Sequence, residues 1–176
     1  INGHGGNVGP ISEVARALYQ RERIVLPSLY LWRIAYGMLP GIVGAYRHAA
    51  RCAIDAGFDG VEVHGANGYL LDQFRCPFLN DRQDEYGGSL ENRCRLHLEI
   101  AREVAAAVGA ERTGIRLSPH GQANDMRPDP EPMATYGYLA EELQKLGLVY
   151  LHLYDQSTSW IHDPDDALLR LIRGKF

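Results

Sequence analysis

The residues best suited to chemistry lie together in Gly60-Val-Glu-Val-His64-Gly-Ala-Asn67-Gly-Tyr69. A short apolar run ends in His64; Asn67 and Tyr69 follow on a glycine-flanked turn. Neutral imidazole and carboxamide N–H groups are good donors to an oxygen that gains negative charge. A phenol is a protonated acid at neutral pH and can supply a proton nearby. Gly65 and Gly68 would let a ligand approach the backbone closely. A strand-end histidine is most often a satisfied polar residue, so a functional reading rests on the convergence of all three side chains.

Two further segments carry polar groups that need an explanation. Arg116, in Gly114-Ile-Arg-Leu-Ser-Pro119, sits in an apolar strand, where a cation is costly to bury without a partner. It can form a structural ion pair with an acid such as Glu62, or point at an anionic ligand or an electron-rich ring. The stretch Asn80-Asp-Arg-Gln-Asp-Glu-Tyr-Gly-Gly-Ser89-Leu-Glu-Asn-Arg93 is polar and turn-forming. It reads as a structural loop in which Ser89 and Asn92 cap the next helix and Gly87-Gly88 make the entry.

The elements that would position these groups alternate between helix and β-rich apolar strand. Helical spacing of apolar residues marks 11–22, and 24–32 reads as a buried strand containing Pro27. Pro40 opens a helix over 40–56 that Gly57 stops. Strand 60–64, a helix over 90–108 ended by Gly109, and strand 113–118 follow. Helix 133–146, strand 149–154 and a last helix near 164–173 complete the order. This alternation predicts an α/β fold of parallel βα units, in a barrel or a doubly wound sheet. In both, ligands gather at the carboxyl ends of strands, where His64, Asn67, the stretch after Arg116 and Tyr154 all fall.

Composition is that of an ordinary globular chain: 176 residues, 45% apolar, 23% charged, net charge −4. Nothing in it favours nucleic acid or an anionic membrane as partner. No run approaches the roughly 18 apolar residues of a membrane span, and no signal peptide pattern opens the chain. A cytoplasmic protein is expected. Cys52, Cys76 and Cys94 share no metal-ligand spacing and read as reduced thiols. His48, His97, His120, His152 and His162 read as structural or surface residues. The chain opens at Ile1 without methionine and closes on Arg-Gly-Lys-Phe176, and both ends read as cut from something longer.

From about Pro40 to Lys175 the chain resembles the old yellow enzyme family of FMN-dependent ene-reductases. The resemblance rests on Ala56-Gly-Phe-Asp-Gly-Val-Glu-Val-His-Gly-Ala-Asn-Gly-Tyr-Leu-Leu-Asp-Gln-Phe74, on the Asn80–Arg93 loop and on Arg112-Thr-Gly-Ile-Arg-Leu-Ser-Pro119, in that order. It implies a partial TIM-type (β/α)8 barrel over 36–176 with FMN at its carboxyl face. It implies His64 and Asn67 as the pair holding a carbonyl or nitro oxygen, Tyr69 as proton donor, and Arg116 beside the flavin N1 and O2 edge. The implied reaction is ping-pong: NAD(P)H reduces FMN, and hydride then passes to the activated C=C bond of a small α,β-unsaturated carbonyl compound. The glycine-rich phosphate site of that family has no counterpart here, and an incomplete barrel with exposed edges is expected to self-associate.

Residues 1–35 are similar instead to a creatininase-family fragment. There the Asn2-Gly3-His4 motif would end a strand and His4 would bind a divalent metal. The lone His4 cannot complete a site that needs three or four ligands. A creatininase-like amidohydrolase fragment and a non-catalytic gene remnant are therefore the alternative readings.

Overall fold

The structure, a computed structural model, describes residues 38–121, 123–154 and 166–176. The expected helix at 11–22, the strand at 24–32, His4 and the whole 1–35 segment lie outside these residues, as does His162.

Helix α1 (Leu39–Asp55) begins one residue before Pro40, whose fixed φ suits a first turn. Leu39 and Ala50 are buried, and Ile42, Val43 and Tyr46 pack against the core. Gly57, at φ +94°, turns the chain towards strand β1 (Val61–His64). A short helix α2 (Leu70–Arg75) follows, then α3 (Leu90–Val108). Ser89 caps α3 alone, its Oγ accepting the Asn92 N–H at 3.3 Å. Asn92, expected to share the cap, instead donates its side-chain amide to the Gly87 carbonyl at 3.1 Å. Strand β2 (Thr113–Leu117), helix α4 (Pro132–Gln144), strand β3 (Tyr150–Leu153) and helix α5 (Ala167–Lys175) complete the described order. Asp166 caps α5 by accepting the Leu168 and Leu169 N–H groups at 2.8 and 3.1 Å.

The three strands form one parallel sheet in the order β1-β2-β3. Val63 stands opposite Ile115, and Ile115 opposite Leu151. Because side chains alternate along a strand, Val61, Val63, Thr113, Ile115, Leu117, Leu151 and Leu153 share one face, and the apolar members of that set join the core with the helices. The other face carries Glu62, His64, Gly114, Arg116, Tyr150 and His152. Helix α3 is the most deeply set element. It touches α1, α2, α4 and β2, so it buries residues on several sides: Cys94, Leu96, His97, Leu98, Ile100, Ala101 and Val104.

Candidate active site

His64 ends β1 and stands in register beside Arg116 of β2, which in turn stands beside His152 of β3. The Gly65 N–H donates to the Arg116 carbonyl at 3.0 Å, carrying the ladder one residue further. The chain then turns through two left-handed residues, Asn67 at φ 60° and Gly68 at φ 72°. A Cβ at position 68 would lie 2.4 Å from the Ala123 carbonyl oxygen, so both conformation and space require glycine there. The turn brings Tyr69 back beside His64, with ring centroids 5.1 Å apart and planes inclined by 50°. His64 and Tyr69 are thus neighbours, and Asn67 lies half-buried on the same turn.

Arg116 does not make the ion pair with Glu62 that was one of its two readings. Glu62 accepts a bond from His152 Nδ1 at 2.9 Å instead, reaching across the sheet over Gly114. The Arg116 guanidinium lies over the Tyr154 ring, 4.5 Å from its centroid, and no acid pairs with it among the described residues. Its Nε is buried without a hydrogen-bond partner among the described residues, and so is the Asn67 side-chain oxygen. An unpaired buried donor or acceptor costs about 1–3 kcal/mol. One such donor and one such acceptor at neighbouring strand ends fit a planar polar ligand that presents both kinds of group.

The local field sets the charge state of His64. Burial and then the Arg116 cation hold its pKa below the ordinary histidine range, outweighing Glu62 and Asp72. At neutral pH it is therefore a neutral imidazole with one N–H to donate.

One residue of the site escaped sequence reasoning. His97 of α3 is fully buried, and its Nε2–H donates to the Gly65 carbonyl at 3.1 Å. Burial lowers its pKa to about 4. The only signal in the sequence is a histidine among the apolar residues of a helix face, which does not say what it touches.

The remaining candidate groups stay apart from this turn. His120 pairs with Asp166 at 2.8 Å, at the start of α5. Cys52, Cys76 and Cys94 are free thiols, the last two buried, and burial pushes Cys94 up to about 12. In the Asn80–Arg93 loop Asn80 ties the Phe74 and Tyr86 carbonyls together, a scaffold role. A surface groove of about 330 Å³ lined by Val43, Arg47, Tyr86 and Glu103 belongs to α1, α3 and the loop before α3, not to the strand ends. Among the described residues, no His, Cys, Asp and Glu cluster could hold a metal, and no helix is long and apolar enough to cross a membrane.

Parallel βα units with polar groups gathered where β1 and β2 end are the arrangement of part of an α/β barrel. Residues 33–163 match the NADH:flavin oxidoreductase / NADH oxidase family, and the chain belongs to that family, which includes the old yellow enzymes. It is 42% identical to 12-oxophytodienoate reductase 7 of Oryza sativa subsp. japonica over 95% of this chain and 48% of that protein. It is 50% identical to 12-oxophytodienoate reductase 2 of Arabidopsis thaliana over 70% of this chain and 33% of that protein. Among solved structures, morphinone reductase in complex with tetrahydroNAD superposes with a TM-score of 0.73 at 44% identity, over 80% of this chain and 37% of that one. The old yellow enzyme homologue from Zymomonas mobilis gives a TM-score of 0.73 at 37% identity, over 80% of this chain and 40% of that one. The chain therefore spans half or less of these relatives, and its three described strands correspond to part of their barrel.

Proposed function

We propose that this chain carries the substrate-polarising part of an FMN-dependent ene-reductase acting on small α,β-unsaturated carbonyl or nitro compounds. The observation that carries the reading is the His64–Asn67–Tyr69 turn set in register beside an Arg116 whose Nε has no hydrogen-bond partner among the described residues. Arg116 would hold the electron-rich N1 and O2 edge of a flavin, a group that accepts an N–H bond and gains from a nearby cation. FMN, when bound, relays hydride from NAD(P)H to the β-carbon of the substrate.

This chain's residues supply the rest. Neutral His64 and the Asn67 amide donate to the substrate oxygen and stabilise the charge that builds there as the enolate forms. Their position at a strand end allows that oxygen to be held without a full positive charge beside it on His64. Tyr69, beside His64, gives its phenolic proton to the α-carbon. The Glu62–His152 pair satisfies both groups on the same face of the sheet, so neither competes for Arg116.

Tyr69→Phe in the FMN-loaded chain tests the assignment. It should slow alkene reduction by about 100-fold or more, the usual scale of a lost general acid. Reduction of the flavin by NAD(P)H should stay within a few-fold of the wild-type rate. Equal losses in both half-reactions would make Tyr69 a structural residue and remove the reading's proton donor.

A further inference from the structure

Two consecutive left-handed residues form the turn, and the first, Asn67, carries a Cβ that makes positive φ less favourable than it is for glycine. Four side chains hold its backbone, Gln73 among them, whose Nε2 donates to the Gly68 carbonyl at 2.7 Å. The Asn67 N–H donates to Ser118 Oγ at 2.8 Å, and the Gly68 N–H donates to Asp72 Oδ2 at 2.9 Å. Ser118 Oγ–H donates in turn to the same Asp72 oxygen at 3.3 Å, and Asn124 Nδ2 donates to the Asn67 carbonyl at 2.7 Å. Asp72 is 1% exposed and Ser118 2%.

Asp72 is the third residue of α2, and it reaches back over the helix start to the N–H of the residue before the cap, much as an acidic side chain does in a capping box. A buried carboxylate needs more than one neutral donor. Its other oxygen takes Arg75 Nε at 2.9 Å and Arg75 Nη2 at 2.8 Å, and Arg75 Nη1 goes on to Asp129 at 2.6 Å. Arg75 is therefore fixed at both ends, and Asp72 is fixed by Arg75. Ser118 is fixed as well: it follows β2 directly, and its carbonyl accepts the Tyr136 hydroxyl at 3.3 Å. The chain of contacts runs from buried ionic groups to the two peptides that flank Asn67.

We infer that Ser118 and Asp72 are positioning residues of the site, holding the two peptides that flank Asn67 so that the Asn67 amide and the Tyr69 phenol stand together with His64. This rests on the ene-reductase reading for its purpose but not for its geometry. Neither residue reaches the reacting atoms. Each acts through the backbone of the turn, Ser118 on Asn67 and Asp72 on Gly68 and on Ser118.

Ser118→Ala and Ser118→Thr separate this from a general contribution to the fold, because threonine keeps the oxygen that Asn67 needs. The first readout is amide hydrogen exchange in the 176-residue chain without added flavin. In Ser118→Ala the Asn67 and Gly68 amides should exchange about 10-fold faster, the scale of one lost hydrogen bond. Ile100 and Ala101 in the core of α3 should keep their protection, and Ser118→Thr should restore the wild-type rates. The second readout is affinity of the FMN-loaded chain for a phenol, an enolate mimic, which should weaken about 10-fold in Ser118→Ala and recover in Ser118→Thr.

Unchanged exchange at Asn67 in Ser118→Ala, or a threonine variant no better than the alanine one, would overturn the inference. So would faster exchange with wild-type phenol affinity. If exchange follows the variants as expected while even the wild-type chain binds no phenol, the clamp stands and the ene-reductase reading falls. Asp72→Asn should speed Gly68 exchange similarly; where that variant does not fold, the Ser118 pair decides.

Discussion

His64 shows how much a single residue's surroundings settle. Burial and Arg116 both disfavour its charged form, and the acids Glu62 and Asp72 do not reverse the balance. A neutral imidazole is the form able to donate to an oxygen without holding it as a tight ion pair, which would stabilise the bound substrate as much as the developing enolate. Removing the ring takes away one donor and the face on which Tyr69 leans. His64→Ala should therefore weaken phenol binding to the FMN-loaded chain by at least about 10-fold. The check is a titration followed in the visible flavin band, and an unchanged dissociation constant would contradict the role given to His64.

At the scale of elements, α3 does more than fill the core. His97 projects from its buried face to the Gly65 carbonyl, so the helix holds the start of the turn that carries Asn67 while Ser118 and Asp72 hold its middle. In the folded chain His97 takes up a proton only near pH 4, against 6.5 when unfolded. Between those values the unfolded chain binds the extra proton, so folding stability falls as pH drops through that window. Above it the contribution is fully present. A gap of this size corresponds to about 3 kcal/mol. His97→Gln keeps a donor for Gly65 and loses the titration, so its denaturation midpoint should depend much less on pH between 6.5 and 4; parallel curves for the two chains would refute the account.

The same elements show what the sequence disclosed. Helix 90–108 was legible to its ends because Ser89 and Gly109 mark them by local chemistry. Helix α2 was missed because six residues are too few for a period to show. His64, Asn67, Tyr69 and Arg116 each stood out as candidates, since their motifs are local. Their support was not: Asp72 meets Ser118 across 46 residues, and Glu62 meets His152 across 90, contacts that only strand register and helix packing create.

At the scale of the whole chain, the described strands bring one edge of a barrel site together and leave two edges open. Among the described residues β1 pairs only with β2, and β3 only with β2. Val149 and Tyr150, at the start of β3, are 54% and 43% exposed, and Phe58 before β1 is 66% exposed. Open parallel edges with apolar residues beside them favour pairing with another chain, so the 176 residues should show concentration-dependent association by sedimentation velocity. Arg116, His64 and Tyr154, proposed to meet a flavin, stand at the carboxyl ends of these strands, away from Phe58, Val149 and Tyr150. A ligand that binds only the folded chain stabilises it by about 2.7 kcal/mol at 100 times its dissociation constant. For a domain of this size that raises the melting temperature by roughly 5–10 °C. Titration with FMN should therefore raise the melting temperature and perturb the visible flavin band together. A free-flavin spectrum with no thermal shift would mean that the edge formed by Arg116 and its neighbours does not retain FMN, and that retention depends on strands beyond β1, β2 and β3.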